Sequence, residues 1–214
     1  NVPANELRTL DQGKNCNGYG GVLADDTILI DIDDRKQSDI LMDIVEDRQL
    51  DCKVVMTRRG RHFLFKNNTV DQCYKGVKLA CGLTADIKVG CKNSYEVLKK
   101  DGKVRHVEWD GEGGHYDMLP KWLTPIKTNK DFVDLGEGDG RNEELFSYKM
   151  VLSTSGFTPD EIKETLHLIN DYVLKEPLSD SEIDTVARRE DDLDAKSFMD
   201  GKRFQHEKFA DRKS

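Results

Sequence analysis

This sequence has no surplus of positive charge. Lys and Arg number 33 against 41 Asp and Glu, a net charge of −8. Proteins that grip duplex DNA over a broad face are usually basic, so any contact with nucleic acid is expected to be local and salt-sensitive. Cys-x-x-Cys is missing, and the five cysteines (Cys16, Cys52, Cys73, Cys81 and Cys91) are odd in number. Neither a disulfide framework nor a zinc ribbon is read from them, and the spacing of Cys73, Cys81 and Cys91 matches no standard metal pattern. No apolar run reaches the length that spans a bilayer, and no signal peptide is read. The expectation is a reduced, cytoplasmic setting without membrane contact. The chain opens on Asn1-Val2-Pro3 rather than methionine, and it is read as a piece of something longer.

What is present suffices for a packed core. The 214 residues are 36% apolar and 35% charged, enough for one large domain or two small ones. The most informative stretch is Ile28-Leu29-Ile30-Asp31-Ile32-Asp33-Asp34. It alternates with a period of two, so a strand here turns Ile28, Ile30 and Ile32 to one face and Leu29, Asp31 and Asp33 to the other. The isoleucine face wants a core. The two carboxylates, roughly 6.5–7 Å apart along such a strand, repel each other and are costly to bury uncompensated. A divalent cation between them resolves the conflict, and hard oxygen ligands suit magnesium or manganese. Aspartates also end strands simply as turn formers, so the remainder of the chain has to supply partners.

Further strands follow. Lys53 to Thr57 and His62 to Phe65 read as a hairpin around the basic turn Arg58-Arg59-Gly60-Arg61. His62 and Leu64 share one face there, Phe63 and Phe65 the other. Arginine pairs bidentately with phosphate oxygens, so this turn suits a triphosphate or a nucleic-acid backbone. Thr84 to Gly90 is a third strand, with Asp86 and Lys88 on one face and Ala85, Ile87 and Val89 opposite. Residues 94–98 and 103–109 read as a second hairpin around Lys100-Asp101-Gly102. Gly111 to His115 reads as a flexible loop, and Gly21 to Ala24 as a short strand. Between the first two strands, Ser38 reads as the N-cap of a helix running to about Arg48.

Near residue 128 the composition changes. Residues 128–140 are polar and glycine-bearing and read as a linker. Beyond them the period becomes 3.6, with Leu145, Tyr148, Lys149 and Leu152 in register. Thr158-Pro159-Asp160-Glu161 and Ser179-Asp180-Ser181-Glu182 carry capping boxes. The expectation is an α+β fold: a mixed or antiparallel sheet with flanking helices in 1–127, then a small all-α bundle in 141–190. The densely charged tail 191–214, with isolated Phe198, Phe204 and Phe209, is expected to lead toward a further domain.

Asp31-Ile32-Asp33, Thr57 to His62 and Ala85-Asp86, in this order, resemble the primase–polymerase domain of the archaeo-eukaryotic primase superfamily, of the phage and plasmid type. Gly140-Arg141-Asn142-Glu143-Glu144-Leu145-Phe146 and the capped helices resemble the small helical domain that follows such catalytic domains in phage primases. The resemblance spans about residues 15–190. It implies an RRM-like core and template-directed nucleotidyl transfer from ribo- or deoxyribonucleoside triphosphates on single-stranded DNA, for primer synthesis or extension in phage or plasmid replication. Asp31, Asp33 and Asp86 would hold two Mg2+ or Mn2+ ions. His62, with Arg58, Arg61 and Lys88, would contact the nucleotide, and Arg59 and Lys53 the nucleic-acid backbone. A replicative helicase is the implied partner, in cis or in trans, and a host-cell cytoplasm the implied location. The family often has a second small residue where Arg59 stands, which bears on the shape of the turn.

Two other readings compete. Asp86-Ile87-Lys88 matches half of a common nuclease signature, with Asp31 as a further ligand, but a nuclease leaves Asp33, His62 and the arginine turn without a role. A non-catalytic DNA-binding or helicase-docking module would have no reason to keep three carboxylates on charged strand faces.

Overall fold

The computed structural model describes residues 7–111 and 114–188. The tail 191–214, its three phenylalanines, and Glu112 and Gly113 of the glycine loop lie outside them. The fold is mixed α+β, with five α-helices among the described residues, the first a single turn, α1 (Leu10–Gly13), and two sheets whose strands all pair antiparallel.

The acidic strand is β2 (Thr27–Ile32), numbered after β1 (Tyr19–Val22). It lies between β4 (Arg61–Lys66) and β6 (Thr84–Val89) at the centre of a seven-stranded sheet. On the β4 side that sheet continues through β3 (Lys53–Met56) to β9 (Val107–Asp110). On the β6 side it continues through β5 (Tyr74–Leu79) to β10 (Pro125–Ile126). Ile28, Ile30 and Ile32 are fully buried, as are Phe63, Phe65, Ile87 and Val89 on the neighbouring strands. All seven face the helices and belong to the main hydrophobic core. The alternation in the sequence thus marks the core face of three adjacent strands.

Helix α2 (Arg35–Asp47) starts earlier than the sequence suggests. Its N-cap is Asp34, whose Oδ1 accepts from the Gln37 amide at 2.8 Å. A carboxylate placed directly after the strand takes the capping role first, and Ser38 falls inside the helix, fully buried. The β3–β4 turn closes through Thr57, whose amide donates to the Gly60 carbonyl at 3.0 Å and whose Oγ1 accepts from the Gly60 amide at 3.0 Å. Here glycine is a steric requirement. A Cβ on Gly60 would stand 1.9 Å from the Ile32 carbonyl oxygen.

The second hairpin differs from expectation. β7 (Tyr95–Lys100) turns at Asp101-Gly102, both with positive φ, and pairs with β8 (Lys103–Val104). Positive φ at both central residues suits a tight two-residue hairpin turn. At Arg105 the chain leaves β7, and β9 joins β3 in the large sheet instead. Trp109 draws it there, packing on the main core and donating its indole N–H to the Leu50 carbonyl at 2.9 Å. β1, β7 and β8 form a separate three-stranded sheet over the other face of the large one. A small apolar cluster of Leu23, Leu29, Val55 and Leu64 joins the two.

The 3.6-residue pattern becomes α3 (Arg141–Thr154), α4 (Pro159–Leu168), a π turn over Ile169–Val173, and α5 (Asp180–Ala187), with both capping boxes formed. The three helices pack on one another and share the main core with the sheet. Phe132, within the stretch read as a linker, is fully buried and meets Tyr148 edge-on at 4.8 Å. Tyr148 donates its hydroxyl to the Ala80 carbonyl at 2.8 Å. Among the described residues no helix is long and apolar enough to cross a membrane.

Removing a buried phenylalanine costs about 3–5 kcal/mol. Phe132→Ala should therefore lower unfolding stability by about 3 kcal/mol, read as a shifted urea midpoint by circular dichroism. A free linker residue would leave that midpoint unchanged.

Candidate active site

The register of the large sheet assembles the site. Asp31 lies directly opposite His62 on β4 and directly opposite Asp86 on β6. Residues opposite one another share a face, so three side chains separated by 55 positions in sequence meet on one polar surface. Lys88, two residues beyond Asp86, reaches back with its Nζ 3.2 Å from Asp31 Oδ2. Asp33 follows the end of β2 and ion-pairs with Arg59 of the turn. Asp86 accepts the Gly76 amide on Oδ1 at 2.7 Å.

A cleft of about 1020 Å³ opens between this surface and the small sheet. Asp31, Asp33, His62, Lys88, Arg58 and Arg59 line its floor, and Lys92, Lys100, Lys103 and Arg105 its other wall. Seven Lys and Arg against three Asp make it basic, in a chain whose net charge is −8. The local field therefore favours anions although the whole protein does not.

His62 is held from both sheets. Its Nε2 is 3.2 Å from Asp31 Oδ1, and its Nδ1 is 3.2 Å from Oε1 of Glu96 on β7. Glu96 is 3% exposed and His62 5%. Arg105 Nη1 stands 3.1 Å from Nδ1 and 3.5 Å from Nε2. Burial opposes a charge on the ring, but the Asp31 and Glu96 carboxylates outweigh it and raise the His62 pKa above its ordinary value. Burial likewise works against ionised Asp31, yet His62 and Lys88 hold its pKa below the usual carboxylate value. Asp31 Oδ1 is buried and, apart from the His62 ring nitrogen 3.2 Å away, meets no hydrogen-bond donor within the protein. A buried carboxylate oxygen of that kind calls for a further partner.

Three expected site residues lie outside the cleft. Asp86 pairs with Asp31 across the sheet but is not among the residues that line the cleft. Arg61 belongs to the helix-facing side of β4, opposite Ile32, because the period of two puts it on the face away from His62. It is 8% exposed and forks onto Glu108 at 2.6 and 3.0 Å, with Asp39 as a second ion-pair partner. It buttresses the sheet behind the cleft. Lys53 shares the His62 face, but it sits opposite Leu64 at the apolar end of the small sheet's footing and does not line the cleft.

Sequence reasoning missed Glu96, Arg105, Lys92, Lys100 and Lys103. All lie in or beside the second hairpin, whose placement over β2 and β4 is a long-range contact. The one local trace is the charge density of Lys99 to Arg105 around a tight turn. Comparison of the chain with known protein families, with curated proteins and with solved structures finds no match.

The two pKa shifts bracket a pH window. A His raised on folding stabilises fully below its unfolded pKa of about 6.5 and loses that contribution as pH rises through the higher folded value. A lowered Asp stabilises above about 3.9 and loses its contribution as pH falls through the lower folded value. His62→Gln should therefore destabilise most between these limits, near pH 5.5, and progressively less at alkaline pH. Denaturation midpoints across pH 4–9 measure this. A difference from wild type that is constant with pH would contradict the electrostatic account.

Proposed function

We propose that this chain is a nucleotidyltransferase of the primase–polymerase type, extending or initiating a strand on single-stranded DNA. The observation that carries the reading is the cross-strand set Asp31, Asp86 and His62 on one sheet face, with Asp33 and Lys88 adjoining it and a basic cleft above it. An antiparallel sheet with helices on one face and a charged, ligand-facing opposite side is compatible with an RRM-like core. The helices α3 to α5 come after the sheet in the chain, the order proposed for a helical follower.

Asp31, Asp33 and Asp86 are the proposed donors for divalent cations. Among the described residues they do not form a ready three-ligand cluster, but Asp31 Oδ1 is buried with no close partner besides His62, and Asp33 and Asp86 adjoin it along the strand and across the sheet. Mg2+ or Mn2+ held by these three would activate the attacking 3′-hydroxyl and neutralise the departing pyrophosphate. The chain's own groups bind and orient. Lys88, Arg58 and the basic hairpin draw the triphosphate into the cleft, and positioning with electrostatics carries most of the rate in phosphoryl transfer. His62, buried with its two ring nitrogens against Asp31 and Glu96, orients Asp31 from beneath the cleft rather than donating to phosphate itself. Arg59, paired with Asp33, would change partner if Asp33 held a metal ion. Three carboxylates contribute about −3 against about +4 from two ions, which leaves positive charge for the triphosphate.

The test is incubation with single-stranded DNA, labelled nucleoside triphosphates and Mn2+ or Mg2+, with and without an annealed primer. Wild type should make or extend labelled oligomers, and Asp31→Ala/Asp33→Ala should reduce the yield at least about 100-fold, the loss expected when a principal electrostatic group is removed. Metal-dependent loss of DNA without nucleotides would indicate a nuclease built on Asp86 and Lys88. Silence in every arm would indicate a binding module.

A further inference from the structure

Tyr95 is the one aromatic side chain among the residues that line the cleft. Tyr95, the first residue of β7, lines the cleft and is 56% exposed. Among the described residues its ring stacks on no other aromatic and carries no cation. Its support comes from β1. A Cβ built on Gly20 would lie 3.0 Å from Tyr95 Cδ2 and 2.8 Å from the Glu96 carbonyl oxygen. Gly20 is thus a flat bed under the ring, and any larger residue there would lift Tyr95 or part the two strands. Glu96, the next residue, is buried against His62 and anchors the backbone of β7 at this point. The ring is therefore backed by Gly20, tethered at its root and exposed, on a residue that lines the basic cleft. Val97 and Val104 add apolar wall beside it.

We infer that Tyr95 is a stacking platform for a nucleobase whose phosphates occupy the basic part of the cleft. This rests on the reading that a nucleotide or single strand binds there. Every base has a π face, so a platform of this kind gives affinity without sequence choice. It also accounts for Gly20 of β1, where a side chain would meet the ring.

The experiment measures equilibrium binding of deoxyadenosine triphosphate, a short oligodeoxyadenylate and inorganic tripolyphosphate to wild type, Tyr95→Ala, Tyr95→Leu and Tyr95→Trp. Alanine substitution of a stacked aromatic weakens binding by about 1–3 kcal/mol per base, which is roughly five- to 150-fold. Tyr95→Ala and Tyr95→Leu should lose that factor for base-bearing ligands, Tyr95→Trp should retain affinity, and tripolyphosphate should bind all four alike. Loss confined to the triphosphate places the base of the free nucleotide on the ring; loss confined to the oligomer places a strand base there. Unchanged base-ligand affinity in Tyr95→Ala, or an equal loss for tripolyphosphate, overturns the inference. Wild type that binds none of the base-bearing ligands overturns it together with the function reading. Tyr95-dependent binding without any nucleotide incorporation supports the platform and removes the polymerase.

Discussion

A carboxylate on a central strand has to be neutralised where it stands, and Asp31 sets that requirement for the molecule. It is flanked by His62 on one side and Asp86 on the other, with Lys88 reaching back to it. Ionised Asp31 helps raise the His62 pKa, and the other ring nitrogen of His62 meets Glu96 of the second sheet. One strand position thus ties together the large sheet, the small sheet and the wall of the cleft. Removing any member would leave a buried charge without its counterpart, which costs more than the pair contributes when intact.

The two faces of β2 divide the work. On one, Ile28, Ile30 and Ile32 join a core shared by the sheet and the helices, and burial of that apolar surface supplies the main stabilisation. On the other, the apolar end at Leu29 seats the small sheet through Leu23, Val55 and Leu64, and the acidic end stays open as the cleft. An acidic protein thereby carries a basic pocket. The excess carboxylates are spread over exposed helix faces such as Asp43 and Glu46 of α2, while Lys and Arg converge on the cleft from strands, a turn and a hairpin.

Much of this was legible from local pattern. The period of two assigned Asp31, His62, Asp86 and Lys88 to the non-core faces of their strands, and the capping boxes at Thr158 and Ser179 located two helix starts. Other features were not legible. Ser38 had the composition of an N-cap, but Asp34 lay four residues earlier and capped first. Arg61 belonged to the same arginine cluster as Arg58, yet the same period of two turned it toward Glu108. β5 carries a bulge at Gly76, where the register shifts between Tyr74 and Val77, and this breaks the alternation that would have revealed it.

By itself the sequence determined which residues form strands and helices in most of the chain, and which face of each strand is charged. These are properties of neighbouring side chains and their spacing. Only the tertiary structure decided that Asp31 stands between His62 and Asp86, that Glu96 and Tyr95 come to the same cleft, and that residues 103–109 are shared between two sheets. Strand order and register depend on contacts between segments far apart in the chain, and periodicity within a segment carries no information about which segment lies beside it.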